Sequence, residues 1–537
     1  MNKIKNYLKE NKRYIYLIKG TVAFLFPLLL CVIYCGIQGK TIFNVYLPNG
    51  EWNDELFYFK QVEGIVNEGF PKGYFGFNES HAEVLSFAAW SPVLVFPWII
   101  WGVFFGWGLM SPIICNIFLL CASSAAFVLI TKSTWKQMIS LGIGMASFIM
   151  FERYMLSGMP EIICFCMVIL ISALTYSYLF KETNAKLILM LIMSAVMTLM
   201  RPYLLLFMIL PLIICVRKKK AGWVISAGAV FVVTLGAYAC IKKFLGAAYF
   251  TPLFSMDWLT DFATKGIGAG FHNFFARLYY MGKEFVKYSI EGVRSGFAPG
   301  AFFVTYLAVM GIFAVRSVID IVRIRNAKND KKEELKNEGA INRIIIEINY
   351  FVIMFGMLMA LLLMYKLEEG SKHLLTFIAG GVFIMAVLNN KAFVKNIVFA
   401  IVCIYFFVIK ASSAYDYQVP FWSEETWARQ TVWEERFAEN MTLADNGPNF
   451  DNDIIWTLSD YQYNGNGKKA LKWQRLYAIP EGFGISCCEQ GYVIQNIDNL
   501  NSKYIVTLTD GDIDKILTSK GRELIYRDNE VSFYKLR

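Results

Sequence analysis

The chain has 537 residues, of which 56% are hydrophobic and 18% charged, with a formal net charge of +10. A soluble domain is nearer half apolar and a quarter charged; here a mean hydropathy of +0.44 reflects apolar residues gathered into long runs. The charge does not point to nucleic acid, because the basic residues sit in short clusters between those runs, at Lys3 to Lys19, Lys132 to Lys136, Arg217 to Lys220 and Arg316 to Arg343, as the positive-inside rule requires.

The first apolar run, Ile15–Ile37, follows a basic stretch and has no small-residue cleavage site after it, so it reads as a retained anchor. Further spans are expected at Ser111–Thr131, Gln137–Phe151, Ile162–Phe180, Leu187–Met200, Tyr203–Val216, Ala221–Ile241, Phe297–Val322, Ile346–Lys366, His373–Leu388 and Asn396–Tyr415. A span needs roughly 20 helical residues to cross about 30 Å of hydrocarbon. The fold class is therefore mainly α: a polytopic helical membrane protein of about 11 spans. Val84–Trp107 is the ambiguous run, interrupted by Pro92 and Pro97. A full crossing there would place Lys132, Lys136 and Arg217 to Lys220 outside. A re-entrant or paired short-helix element, with both ends outside, puts every basic cluster in the cytoplasm. That assignment makes the N-terminus cytoplasmic in a multi-pass cell-membrane protein.

Residues 1–415 are read as the membrane domain and 416–537 as a small extracytoplasmic α/β domain. In the latter, Tyr504 to Leu508 and Val531 to Tyr534 are strand-like and Ile513 to Ser519 helix-like, with turn residues between them. Nine of the eleven cysteines lie in apolar runs, where Cys is a small hydrophobe; no disulfide framework or zinc spacing is read. The three histidines, His81 among them, are too scattered for a His-rich metal site.

The first outer loop carries Asp54 and Glu55, followed by Leu56, Phe59, Val62 and Val66 on one helical face. This suggests an amphipathic helix along the membrane interface, in whose first turn the two acids would also favour the helix dipole without further role. Glu152, Arg153 and Glu161 mark the second outer loop, with Pro160 before Glu161. Arg201 lies in the middle of the apolar stretch Leu187 to Val216, and a buried arginine needs an acidic or phosphate partner. Lys366, Lys372 and His373 cluster at one outer end, and Arg277, Lys283, Lys287 and Arg294 in the long middle loop; such cations either snorkel to headgroups or form a phosphate site. No phosphate-binding loop, dinucleotide fingerprint, zinc-protease motif or nucleophile elbow occurs, which argues against an ATP-driven pump.

The arrangement resembles the GT-C superfamily of polyprenyl-phosphate-sugar glycosyltransferases, which includes aminoarabinose transferases and protein O-mannosyltransferases. Asp54-Glu55 with Tyr58 four residues after the Asp, Pro160-Glu161 at the start of a span, and Lys372-His373 at the start of a late span carry the resemblance. Arg201-Pro202-Tyr203 and the tail from Tyr504 to Leu536 are weaker echoes, and Trp90-Ser91-Pro92 stands where a His-Pro-Pro step is usual. The resemblance implies transfer of a sugar from a polyprenyl-phosphate donor at the outer membrane face to a glycan, lipid or protein acceptor. Asp54 would be the base, with Glu55 and Glu161 orienting the acceptor or tuning charge, and Arg201, Lys372 and His373 with Tyr58 would bind the lipid-linked phosphate and sugar. No organic cofactor is implied; a divalent metal stays open. A lipid-linked-sugar flippase and a surface-polysaccharide polymerase or ligase are the rival readings.

Overall fold

The computed structural model describes residues 12–45, 53–69, 75–80, 91–246, 255–326, 338–388, 392–409, 417–444, 450–457 and 473–537. His81 and Trp90 lie outside the described residues. The helices, in chain order, are α1 (Lys12–Ile37), α2 (Asn53–Glu68), α3 (Phe96–Phe105), α4 (Ser111–Thr131), α5 (Trp135–Ser147), α6 (Met150–Met155), α7 (Glu161–Phe180), α8 (Asn184–Met200), α9 (Ile209–Arg217), α10 (Ala221–Leu245), α11 (Asp257–Thr264), α12 (Ile267–Ser295), α13 (Ala298–Asn326), α14 (Glu338–Met364), α15 (Leu367–Ser371), α16 (Leu374–Leu388) and α17 (Ala392–Ile404). The C-terminal unit, named the outer domain after its expected side of the membrane, adds α18 (Glu424–Asn440), α19 (Gln490–Gln495) and α20 (Asp512–Ser519). This is the polytopic, mainly α fold with a C-terminal α/β unit that the sequence leads one to expect. Among the described residues, seven helices are long and apolar enough to cross a membrane. Of the other expected spans, the one over Gln137–Phe151 ends at Ser147, and the chain restarts as the short α6.

Packing follows composition. α16 is apolar on every face, and all its residues are buried, as expected for a central helix. It packs on α7, whose residues from Glu161 to Phe165 are likewise buried. α1, by contrast, exposes Leu25, Leu29, Val32 and Ile33, the outward face of a peripheral span.

The segment between α1 and α4 begins and ends on the same side of the bundle. At one end, the Lys19 ammonium of α1 donates to the Ser133 carbonyl, just beyond α4, at 2.7 Å. At the opposite end, Trp107 Nε1, just before α4, donates to the Phe59 carbonyl of α2 at 3.1 Å. The run Val84–Trp107 therefore ends at the same end of the bundle as α2. Its described part is a short 3-10 turn, Pro92–Val95, capped by Ser91, that runs into α3. Pro92 and Pro97 stand at or next to the first positions of these two pieces, where proline's missing N–H costs nothing.

The outer domain is a six-stranded sheet in the order β1-β3-β2-β4-β6-β5. Its strands are β1 (Phe75–Phe77), β2 (Asp453–Thr457), β3 (Gly484–Cys488), β4 (Tyr504–Leu508), β5 (Glu523–Arg527) and β6 (Val531–Lys535). β1, β3, β2 and β4 are parallel neighbours; β6 joins β4 and β5 antiparallel. The edge strand β1 comes from the first outer loop, so that loop is woven into the domain. Behind it, Glu79 accepts from the Ser502 amide at 2.7 Å, from the Ser502 hydroxyl at 2.7 Å and from the Asn501 amide at 2.9 Å.

The helix expected to lie along the interface is instead wedged between the two units. Leu56 and Phe59 of α2 are buried in the outer-domain core with Trp433, Phe437 and Tyr477. Tyr58 and Val62 are buried in the membrane core. At about 100° per residue the two pairs fall on different faces, so α2 has two buried faces.

Candidate functional site

The charged residues singled out from four distant stretches meet where α2, α7, α16 and the α8–α9 connection converge. α8 ends at Met200, and Arg201 is extended, with φ −148° and ψ 125°, because a residue before proline is held out of the helical region. Pro202 then starts a 3-10 turn, Pro202–Met208. This break lets the Arg201 side chain leave the helix axis and enter the core.

There Arg201 and Glu161 form an ion pair at 2.7 Å, with side chains 0% and 1% exposed respectively. Arg201 Nη1 also lies 2.9 Å from His373 Nδ1 and donates to the Tyr203 hydroxyl at 3.4 Å. A guanidinium only donates, so His373 accepts at Nδ1 and is uncharged in this arrangement. The His373 ring packs against Tyr203, with centroids 4.9 Å apart, and Tyr365, at 5.4 Å. These contacts fix the imidazole in place.

A second, shallower pair lies beside the first. Lys372 Nζ is 2.8 Å from Asp54 Oδ2, with side chains 29% and 35% exposed respectively. Glu161 and Arg201 act electrostatically on Lys372, and Arg201 on Asp54, so the two pairs form one cluster. Burial pushes the Asp54 carboxyl upward, but the Lys372 charge and hydrogen bond, with Arg201 behind them, hold it below its ordinary value. Tyr58, one turn after Asp54, is buried within reach of Arg201, Asp54 and Glu161. Glu55 is fully buried, and its Oε1 accepts from the Gly158 amide at 3.2 Å, tying α2 to the loop before Glu161.

The structure thus brings Asp54, Glu55, Tyr58, Glu161, Arg201, Lys372 and His373 to one place. It pairs them differently from a simple triad of cations, since Lys372 is matched to Asp54 and Arg201 to Glu161. Each of the two cations is thus paired with one carboxylate, and Glu55 bonds the Gly158 amide beside them. Tyr203 and Tyr365 complete the site; Tyr365, an aromatic residue in an apolar run, has no sequence signal that would mark it. Of the other basic residues, Lys366 is exposed and pairs with Glu369 at 3.1 Å, and Lys287, on α12, pairs with Glu284 at 3.5 Å. Among the described residues, no group of three or more His, Cys, Asp or Glu side chains is placed to hold a metal ion.

No protein-family model and no curated protein matches the chain. The archaeal oligosaccharyltransferase AglB from Archaeoglobus fulgidus, solved in complex with an inhibitory peptide and a dolichol-phosphate, is similar in structure at a TM-score of 0.44. The match has 12% sequence identity and covers 93% of this chain and 70% of that one. A likeness of that size says nothing about chemistry, which has to come from the side chains. What they offer is graded: a charge pair open to solvent, backed by a charge pair sealed in the core, under the roof of the outer domain.

Proposed function

We propose that this chain is a glycosyltransferase that moves a sugar from a polyprenyl phosphate to an acceptor hydroxyl at the outer face of the cell membrane. The reading also places the N-terminus in the cytoplasm and the C-terminal domain outside. The observation that carries it is the Asp54–Lys372 pair, a partly exposed base and cation in direct contact at the bundle end beneath the outer domain. The motif order that resembles the GT-C superfamily supports the same chemistry.

In the proposed step, the acceptor oxygen attacks the anomeric carbon as the bond from that carbon to the phosphate oxygen breaks. The hydroxyl proton passes to the Asp54 carboxylate, and the electron pair of the broken bond leaves on the polyprenyl phosphate. Charge growing on that phosphate needs cations placed in advance. Lys372 is the one that can reach it, with Arg201 contributing from below. A phosphate drawing Lys372 away from Asp54 also removes what holds the carboxyl low, so Asp54 becomes a better proton acceptor when the donor is bound. His373 and Glu161 position Arg201, and Glu55 positions the start of α2.

Asp54→Asn keeps the shape and removes the proton acceptor. Transfer from a lipid-linked donor in membranes should fall by on the order of 10²-fold or more, with protein abundance little changed. Glu55→Gln should cost less, because an amide oxygen still accepts from Gly158. Normal transfer by Asp54→Asn would overturn the assignment, and that tolerance is what a flippase would show.

A further inference from the structure

At the end of the bundle opposite Asp54, α1, α4 and α5 enclose an apolar groove of about 460 Å³. Val22, Phe26, Val128, Met138, Gly142 and Ala146 are among its lining residues. We propose that this groove holds an acyl chain of an anionic phospholipid from the leaflet on the Lys19 side, with the lipid phosphate seated on Lys19, Lys132 and Lys136.

Three observations converge on that occupant. The first is charge at the mouth. Lys19, Val22, Ala23 and Phe26 share one face of α1 by their three- and four-residue spacing, so the Lys19 ammonium sits at the groove's end. Lys19 is 8% exposed, and its nitrogen lies 5.4 Å from the Tyr16 ring centroid and 5.6 Å from that of Trp135. Among the described residues, no carboxylate pairs with Lys19, Lys132 or Lys136. Lys132 adjoins Ser133, which holds Lys19, and Lys136 adjoins Trp135, so three lysines gather at this end of the groove with no carboxylate paired to them among the described residues. Basic pockets between membrane helices select anionic headgroups for this reason.

The second is depth. Trp135 is 47% exposed at the mouth, where an indole takes the headgroup level, while the rest of the lining faces hydrocarbon. The third is Ser124. It is one of the lining residues, it is 1% exposed, and its buried hydroxyl has no partner among the described residues. A phospholipid brings an ester carbonyl, an acceptor in an otherwise apolar molecule. The polyprenyl phosphate of the proposed transfer leaves at the Asp54 end, so the groove is separate from that site.

The test uses the full chain in mild detergent, titrated with phosphatidylglycerol or phosphatidylcholine of equal chain length and read by native mass spectrometry. Wild type should retain one phosphatidylglycerol with at least about tenfold preference over phosphatidylcholine. Lys132→Glu with Lys136→Glu should erase that preference by roughly tenfold or more. Both lysines are exposed, so the fold should tolerate the change. Ala146→Trp, at an exposed rim position, should lower retention of both lipids while circular dichroism shows unchanged helix content. Equal retention of the two lipids by wild type would overturn the proposal. So would undiminished phosphatidylglycerol preference in the double lysine variant.

Discussion

The two ion pairs of the candidate site differ in what they contribute, because they differ in exposure. Asp54–Lys372 is about a third exposed, and pairs of that kind contribute on the order of 1 kcal/mol or less to stability. Glu161–Arg201 is sealed from water, and removing one partner of such a pair costs about 3–5 kcal/mol because the other charge is left uncompensated. Glu161→Gln should therefore lower the amount of folded protein and its melting temperature sharply, whereas Asp54→Asn should leave both near wild type. Replacing the pair together, Glu161→Leu with Arg201→Met, should recover much of the lost stability without recovering transfer. Thermal unfolding of the purified variants, read as a double-mutant cycle, checks this. A cycle with no coupling between Glu161 and Arg201 would mean the buried contact holds nothing together. The sequence singles out all seven clustered residues, Arg201 as a charge in an apolar stretch and the others through the motifs of the resemblance. Their pairing is not legible there. Lys372 and His373 are adjacent in sequence, yet one faces Asp54 and the other Arg201, a division set by the start of α16 and invisible in spacing.

Among the elements, α2 and the outer sheet join what the sequence separates. The periodicity of Leu56, Phe59, Val62 and Val66 correctly gives a helix, but it cannot show that Leu56 and Phe59 pack on a second unit while Val62 packs on the membrane bundle. Leu56→Ala and Phe59→Ala each remove a side chain buried in the outer-domain core, and losses of about 2–5 kcal/mol are usual for such truncations. Both should loosen the outer domain and, because Asp54 opens the same helix, also reduce transfer. Limited proteolysis of the outer domain beside an activity assay would show whether the two effects move together. Strands of five residues such as Tyr504–Leu508 could be read from β-branched and aromatic content, whereas β1, three residues long and paired with a strand some 400 positions away, carries no local signal. The same sheet contains a pH-sensitive group. Asp453, on β2, is 7% exposed, and burial, with the charge of Glu79 added, raises its carboxyl to about 7. It is protonated when folded and ionised when unfolded between about pH 4 and pH 7, so this group makes the domain less stable as pH rises through that window. Asp453→Asn should therefore melt higher than wild type at pH 8, and the advantage should shrink by pH 5. Tryptophan fluorescence follows it, since Trp433 and Trp456 are buried in this domain.

For the whole molecule, the question is which end faces which compartment, and the packing reduces it to one choice. Lys19 bonds to Ser133 beyond α4, Lys186 at the start of α8 lies near Lys181 and Lys132, and Arg217 at the end of α9 lies near Tyr178 and Glu182. The basic clusters around residues 19, 132 and 217 therefore occupy one end, and the Asp54 cluster with the outer domain occupies the other. No rearrangement of single spans moves one basic cluster without the rest. Charge bias then predicts one direction for all of them together, since lysine and arginine in short loops are usually retained in the cytoplasm. In a background with the exposed Cys240 changed to serine, a cysteine at Lys219 should resist an impermeant thiol reagent added to intact cells. A cysteine at Asp498, exposed on the outer domain, should react. Reaction at both would mean that the α8–α9 stretch does not return across the membrane. Reaction at Lys219 alone would invert the molecule, and with it place the Asp54 site on the face where nucleotide sugars, rather than lipid-linked ones, are the expected donors.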